Sequence, residues 1–231
     1  MANEKIGVVL AGCGHLDGAE IREAVLTLLS LDERQAQAVC LAQDIDQMHV
    51  VDHLKGAPAE PETRNVRTES ARIARGEVVD LASAKIEDFD ALIFPGGFGV
   101  AKNLFDFAVK GTDCTVRPDV AKLVLDAHAA GKPVGFICIA PALGAAIFRD
   151  AGIGGMQLTV GDEDVGAAQA IEAMGAVHLA CPVTEARVDT AHRIVSTPAY
   201  MYAEPRLADV RRGIDALVGA VLELTRQPHR Q

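Results

Sequence analysis

Gly135-Phe136-Ile137-Cys138-Ile139-Ala140-Pro141 decides how the rest of the chain is read. An apolar run begins after Lys132-Pro133, stops at Cys138, and gives way to a helix pattern, Ala142-Leu143-Gly144-Ala145-Ala146-Ile147-Phe148. A buried strand that opens directly into a helix is the repeating joint of an α/β sheet. A sulfur at that joint lies near the positive end of the helix dipole. Thiolate is favoured there, and pKa values as low as about 3.5–7.5 occur in such places. The stretch therefore predicts a nucleophilic cysteine with a depressed pKa. The alternative at this point is that Cys138 is one more small buried hydrophobe.

Outward from this joint, short β-branched runs alternate with longer amphipathic stretches, the pattern of β-α-β units and a mostly parallel sheet. The candidate core strands are Ile6–Ala11, Ala38–Ala42, Ala91–Pro95, Val134–Ile137 and Leu158–Val160. The spacing predicts a first helix over about Ala19 to Leu31, with Ile21, Val25, Leu28 and Leu29 facing inward. Pro118 to Ala130 reads as a second helix, with Pro at its start and Gly131 past its end. Leu207 to Arg226 reads as a third, burying Ile214, Leu217, Val218, Val221 and Leu222. Arg187–Asp189 and Arg193–Ser196 read as an antiparallel hairpin at a sheet edge. The polar stretch from Gln43 to Gly76 reads as an excursion with a short Arg-rich helix. No repeat or linker interrupts the pattern, so residues 1–231 are read as a single domain.

Composition narrows the classes of function. A formal charge of −10 disfavours nucleic acid and anionic membranes as partners. Cysteines 13, 40, 114, 138 and 181 are odd in number and lack metal-type spacing, so reduced thiols are expected and neither a disulfide scaffold nor a metal site. The N-terminus runs straight into Ile6-Gly7-Val8-Val9-Leu10 without a charged-then-apolar leader, and no uncharged run is long enough to span a bilayer. A soluble, cytoplasmic protein is the expectation.

In an open parallel sheet, chemistry collects at the carboxyl ends of the strands. Three candidate loops lie there: Ala11-Gly12-Cys13-Gly14-His15-Leu16-Asp17-Gly18-Ala19-Glu20, Pro95-Gly96-Gly97-Phe98-Gly99, and the turn at Cys138. Gly96-Gly97 permits close backbone approach and two N–H groups for an oxyanion, or simply a tight turn. Glu20, in the first turn of the first helix, is either a helix-dipole carboxylate or a carboxyl beside Cys138 that holds a proton and shuttles it. A dinucleotide site on Gly12-Cys13-Gly14 and Gly18 is disfavoured, because Asp17 and Glu20 stand where a pyrophosphate would bind.

These residues together resemble the ThiJ/PfpI superfamily, whose fold is glutamine-amidotransferase-like, and most closely its ElbB-type glyoxalase branch. The resemblance runs through Asp17-Gly18-x-Glu20-Ile21, Glu62-Thr63-Arg64-Asn65-Val66, Pro95-Gly96-Gly97-Phe98-Gly99-x-Ala101-Lys102-Asn103-Leu104, the Cys138 stretch, and Thr197-Pro198-Ala199-Tyr200-Met201. It implies a flavodoxin-like three-layer α/β sandwich with a small antiparallel hairpin. It also implies a homodimeric, cofactor-free and metal-free enzyme that converts glyoxal to glycolate. In that scheme Cys138 is the nucleophile and Glu20 its proton-sharing partner. Gly96, Gly97 and the N–H of Ile139 line the oxyanion site, while Pro198 and Ala199 wall the pocket, with Tyr200 next to them. Protein deglycase chemistry, redox sensing through Cys138, or a non-catalytic binding module on the same fold are the rival readings. The histidine that several superfamily members place near the cysteine is absent around Leu158-Thr159, and His192 is followed by Arg193-Ile194. His15 borders the expected site, and Arg64 is the excursion's candidate for an anion-binding lid.

Overall fold

The computed structural model describes residues 3–162 and 165–228, without the side chain of Val165. The leader reading at Met1 and Ala2 falls outside the described residues. The chain opens with β1 (Lys5–Val9), α1 (Ile21–Glu33) and β2 (Gln37–Ala42). The excursion carries a small ribbon of β3 (Val51–Asp52) and β4 (Ala57–Pro58), then α2 (Val66–Ile73). Next come β5 (Val78–Asp80), β6 (Ala91–Phe94), α3 (Phe107–Lys110), α4 (Pro118–Ala129), β7 (Val134–Ile137) and α5 (Ala140–Asp150). The last third contains β8 (Gln157–Leu158), α6 (Val165–Ala173), β9 (Val177–His178), β10 (Arg187–Asp189), β11 (Ile194–Thr197) and α7 (Leu207–Arg226).

The main sheet has seven strands in the order β10-β11-β7-β6-β1-β2-β5. All neighbours are parallel except β10, which returns antiparallel along β11. Strand residues alternate between the two faces as a period of two requires. Leu92, Phe94, Val134 and Phe136 join α4 and α5 in one core. Ala91, Ile93, Ile137 and Val195 join α1 and α7 in the other. The outcome is the flavodoxin-like three-layer arrangement. Val8 pairs with Ile93, and Ile93 with Gly135, so β1, β6 and β7 end together at one sheet edge.

Two expectations are corrected. Leu158–Val160 is not a core strand: Gln157–Leu158 pairs with Val177–His178 in a separate two-stranded ribbon. The inner face of α1 is also different. Its buried residues are Glu23, Ala24, Thr27, Ser30 and Leu31, whereas Ile21, Val25 and Leu29 are 45%, 48% and 41% exposed. The small inward residues let α1 pack closely on α7, where Arg34 clamps Asp215 through two nitrogens at 2.6 and 3.0 Å.

Gly213 shows how tightly α7 is seated. A Cβ there would stand inside the van der Waals envelope of the Val183 carbonyl oxygen and 2.8 Å from Thr197 Oγ1. Helix propensity alone favours alanine by about 1 kcal/mol, but overpacking against fixed backbone costs about 1–3 kcal/mol. Gly213→Ala is therefore expected to destabilise the protein, read as a lower urea midpoint; an unchanged or higher midpoint would show that α7 shifts freely.

Candidate active site

The loops after β1 and β6 are docked backbone against backbone. Glu20 N donates to Gly96 O at 2.8 Å, Phe98 N to His15 O at 2.8 Å, and Gly99 N to Gly18 O at 2.9 Å. A Cβ on Gly99 would overlap the Gly18 backbone, so glycine is required at this approach. The π-helical turn Val100–Leu104 that follows braces the same loop. Asn103 Nδ2 donates to the Ala11 and Asp17 carbonyls at 2.9 and 3.0 Å, and Lys102 Nζ donates to Leu16 O at 2.7 Å.

Cys138 follows β7 with φ of 62°, a left-handed conformation that ordinary residues adopt only where surrounding structure enforces it. The kink turns its sulfur toward the N–H groups of Gly97 and Ile139. It also brings the Cys138 Cβ so close to Gly96 that a side chain there would meet it at 2.5 Å. Beside the sulfur lies a carboxyl, but it belongs to Glu23 and not to Glu20. Glu20 is the N-cap of α1, its Oε2 accepting from Glu23 N at 2.7 Å. The next inward-facing position of the helix is then Glu23, fully buried, with Oε2 accepting from Gly96 N at 2.8 Å and Oε1 without a hydrogen-bond partner. The Gly96 N–H is thus spent on the carboxyl and not on an oxyanion.

Burial, reinforced by the nearby Glu20 charge, pushes the Glu23 carboxyl up to about 8. The expectation of a depressed cysteine pKa is corrected. Cys138 is only 7% exposed, and burial, followed by the repulsion of an ionised Glu23, drives its thiol upward against the pull of the Gly97 and Ile139 N–H groups. The helix-dipole reading ignored desolvation, which is the larger effect here. Burial thus disfavours a charge on either group.

Above the sulfur opens a cavity of about 830 Å³. Cys138, Glu20, Gly97 and Ile139 line it, whereas Pro198 and Ala199 do not; the wall on that side is Tyr200 and Met201. Ala199 is instead fully buried in the core of α1 and α7. Arg64 pairs with Glu62 and Glu69 and is not a lid; the excursion's contribution to the cavity is His53. The nitrogens of His53 are both engaged, Nε2 accepting from Leu16 N at 3.2 Å and Nδ1 donating to Val51 O at 3.0 Å. His15 also lines the cavity, its ring edge-on to His53 at 5.1 Å. Among the described residues neither ring nitrogen of His15 meets a hydrogen-bond partner.

No family model matches the chain. The chain is 48% identical over 229 residues to the Homo sapiens "glutamine amidotransferase-like class 1 domain-containing protein 3, mitochondrial", across 96% of this chain and 83% of that relative. The Rattus norvegicus "ES1 protein homolog, mitochondrial" is 46% identical over 229 residues, across 96% and 84%. A crystal structure of an isoprenoid biosynthesis protein with an amidotransferase-like domain from Ehrlichia chaffeensis superposes with a TM-score of 0.87 at 39% identity, covering 96% of this chain and 99% of that one. Drosophila melanogaster DJ-1beta shares the fold, with a TM-score of 0.52 at 17% identity over 96% of each chain. Both curated relatives are named mitochondrial, which overturns the expectation of a cytoplasmic protein and points away from a purely cytoplasmic location.

The raised Glu23 pKa sets a pH dependence of stability. The ordinary value is 4.5 and the folded value about 8, so the folded chain keeps a proton that the unfolded chain releases between them. The stabilisation is complete below 4.5 and is lost as pH rises toward 8. Glu23→Gln cannot ionise and escapes that loss. Its stability relative to the native chain should rise by on the order of a few kcal/mol between about pH 5 and about pH 8, measured by urea unfolding. A difference that stays flat would mean that Glu23 ionises at its ordinary value.

Proposed function

The chain belongs to the glutamine amidotransferase-like class 1 family that includes the ES1 proteins, and from that premise we propose that it is a cysteine-dependent enzyme of the glyoxalase type, acting on 2-oxoaldehydes without glutathione. The buried pair of Cys138 and Glu23, beneath the N–H groups of Gly97 and Ile139, carries this reading. The sulfur adds to the aldehyde carbon, and its proton passes to the carbonyl oxygen, which the two N–H groups hold. In molecules with Glu23 ionised, its carboxylate then takes the C–H proton and returns it to the neighbouring carbon, while the hydroxyl proton passes from the first oxygen to the second. A thioester results. Water then releases the 2-hydroxy acid, and His15, which lines the same cavity with both nitrogens unspent, is the base for that water. Overall one water is consumed, and no external oxidant or reductant enters.

The burial of Cys138 and its raised thiol count against the peroxide-sensing reading, since oxidation follows thiolate character and exposure. Deglycase chemistry would use the same pair, on a bulkier adduct.

Glycolate formation from glyoxal, without glutathione or added metal, is expected from the native chain and lost in Cys138→Ala. Turnover that survives in that variant would sink the mechanism. In His15→Gln, hydrolysis should slow by about 10²–10⁴-fold, so that intact-mass spectrometry finds a covalent adduct accumulating on Cys138. Native turnover without adduct would remove His15 from the scheme.

A further inference from the structure

We propose that the cavity wall beyond Cys138 is a subsite for an apolar arm of the substrate, so that the preferred 2-oxoaldehyde carries an aryl or branched alkyl group. This rests on the glyoxalase reading for the reaction, though not for the subsite. Glyoxal is the smallest dialdehyde, yet the cavity of about 830 Å³ lies in the range of about 300–1,000 Å³ that accepts drug-sized ligands. Its apolar walls are supplied by Ile21, Phe98, Phe107 and Met201. Phe98 is 53% exposed and Ile21 45%, although both line the cavity that holds Cys138. Large apolar groups left open around a concave site mark a surface completed by a ligand.

The polar groups around the cavity do not favour an ionic arm. Arg22 donates to the Tyr200 hydroxyl at 3.2 Å and is offset by the Glu20 carboxylate on the same wall. His53 has both nitrogens spent on backbone. Carbonyl recognition is confined to the floor, at Gly97, Ile139 and Cys138, and the walls beyond it are mainly apolar apart from the His15 ring that the reaction uses. With phenylglyoxal the chemistry balances as before. The aldehyde carbon is oxidised and the ketone carbon reduced within one molecule, the aldehyde proton moves to the ketone carbon, and one water yields mandelate.

Two measurements test this. In the first, kcat/KM for phenylglyoxal to mandelate is compared with kcat/KM for glyoxal to glycolate, in the native chain, Phe98→Ala and Met201→Ala. The native ratio should favour phenylglyoxal by at least about tenfold, and each truncation should reduce that ratio several-fold. The second does not need turnover: Cys138 is alkylated with iodoacetamide or with iodoacetanilide, each rate being divided by that toward free cysteine and read by peptide mapping. The anilide should be favoured in the native chain and lose its advantage in Phe98→Ala. An anilide preference with neither aldehyde turned over would uphold the subsite and reject the glyoxalase reading. Equal normalised alkylation, or ratios untouched by both truncations, would overturn the subsite. Because Phe98 is half exposed, its truncation leaves the fold intact.

Discussion

Three main-chain hydrogen bonds between the loops after β1 and β6 hold the remainder of the site in place. Gly97 and Gly99 allow the two backbones to touch, and the Glu20 N–H to Gly96 bond fixes where α1 begins. Once that start is fixed, the helix period places Glu23 against Gly96 and the sulfur of Cys138. A single methyl group at Gly99 would push the loops apart, and the acid would leave the sulfur with them. Precision at the reacting atoms is thus inherited from backbone contacts that need no side chain at all.

The same docking dries the pair. Glu23 and Cys138 lie beneath the Gly96–Gly97 turn, where neither carries a charge cheaply, and the N–H groups of Gly96, Gly97 and Ile139 are the compensation available. An exposed cysteine at a helix start would be a thiolate by default. Here the proton stays within the pair until an electrophile takes up the sulfur. Burial and a raised thiol disfavour attack by solvent-borne oxidants, and under the proposed mechanism the substrate itself draws the sulfur into reaction.

Much of the architecture was legible in the chain itself, because core strands such as Ala91–Phe94 and Val134–Ile137 are continuous apolar runs bounded by proline and glycine. The Cys138 joint, the Pro118 helix and the Arg187–Asp189 hairpin are visible for the same local reasons. Periodicity misled at α1. Ile21, Val25 and Leu29 look like a buried stripe, but the close approach of α7 selects the small face of Ala24, Thr27 and Ser30. The acid was misplaced by the same helix. The spacing Glu20-x-x-Glu23 is that of an N-cap and the residue whose N–H it accepts, and it was the available signal that Glu20 is occupied and Glu23 turns inward. His53 could not be found from sequence, since its place depends on the path of the excursion around the two-residue strands β3 and β4. The Leu158 segment lacked any mark separating a core strand from a peripheral ribbon.

Glu23 is a poor residue for the fold that contains it: a fully buried carboxyl with one oxygen free of hydrogen bonds, its pKa pushed up to about 8. Selection for stability alone would replace it, and the replacement would be close at hand, since an apolar or amide side chain of similar length fills the same space. Its presence is what the proposed chemistry would require. In a lineage that abandoned such chemistry, this position would drift first, while Gly97 and Gly99, which the backbone requires, would stay. Glutamate at this one site, read across descendants of the same ancestor, separates working copies from those kept for their shape.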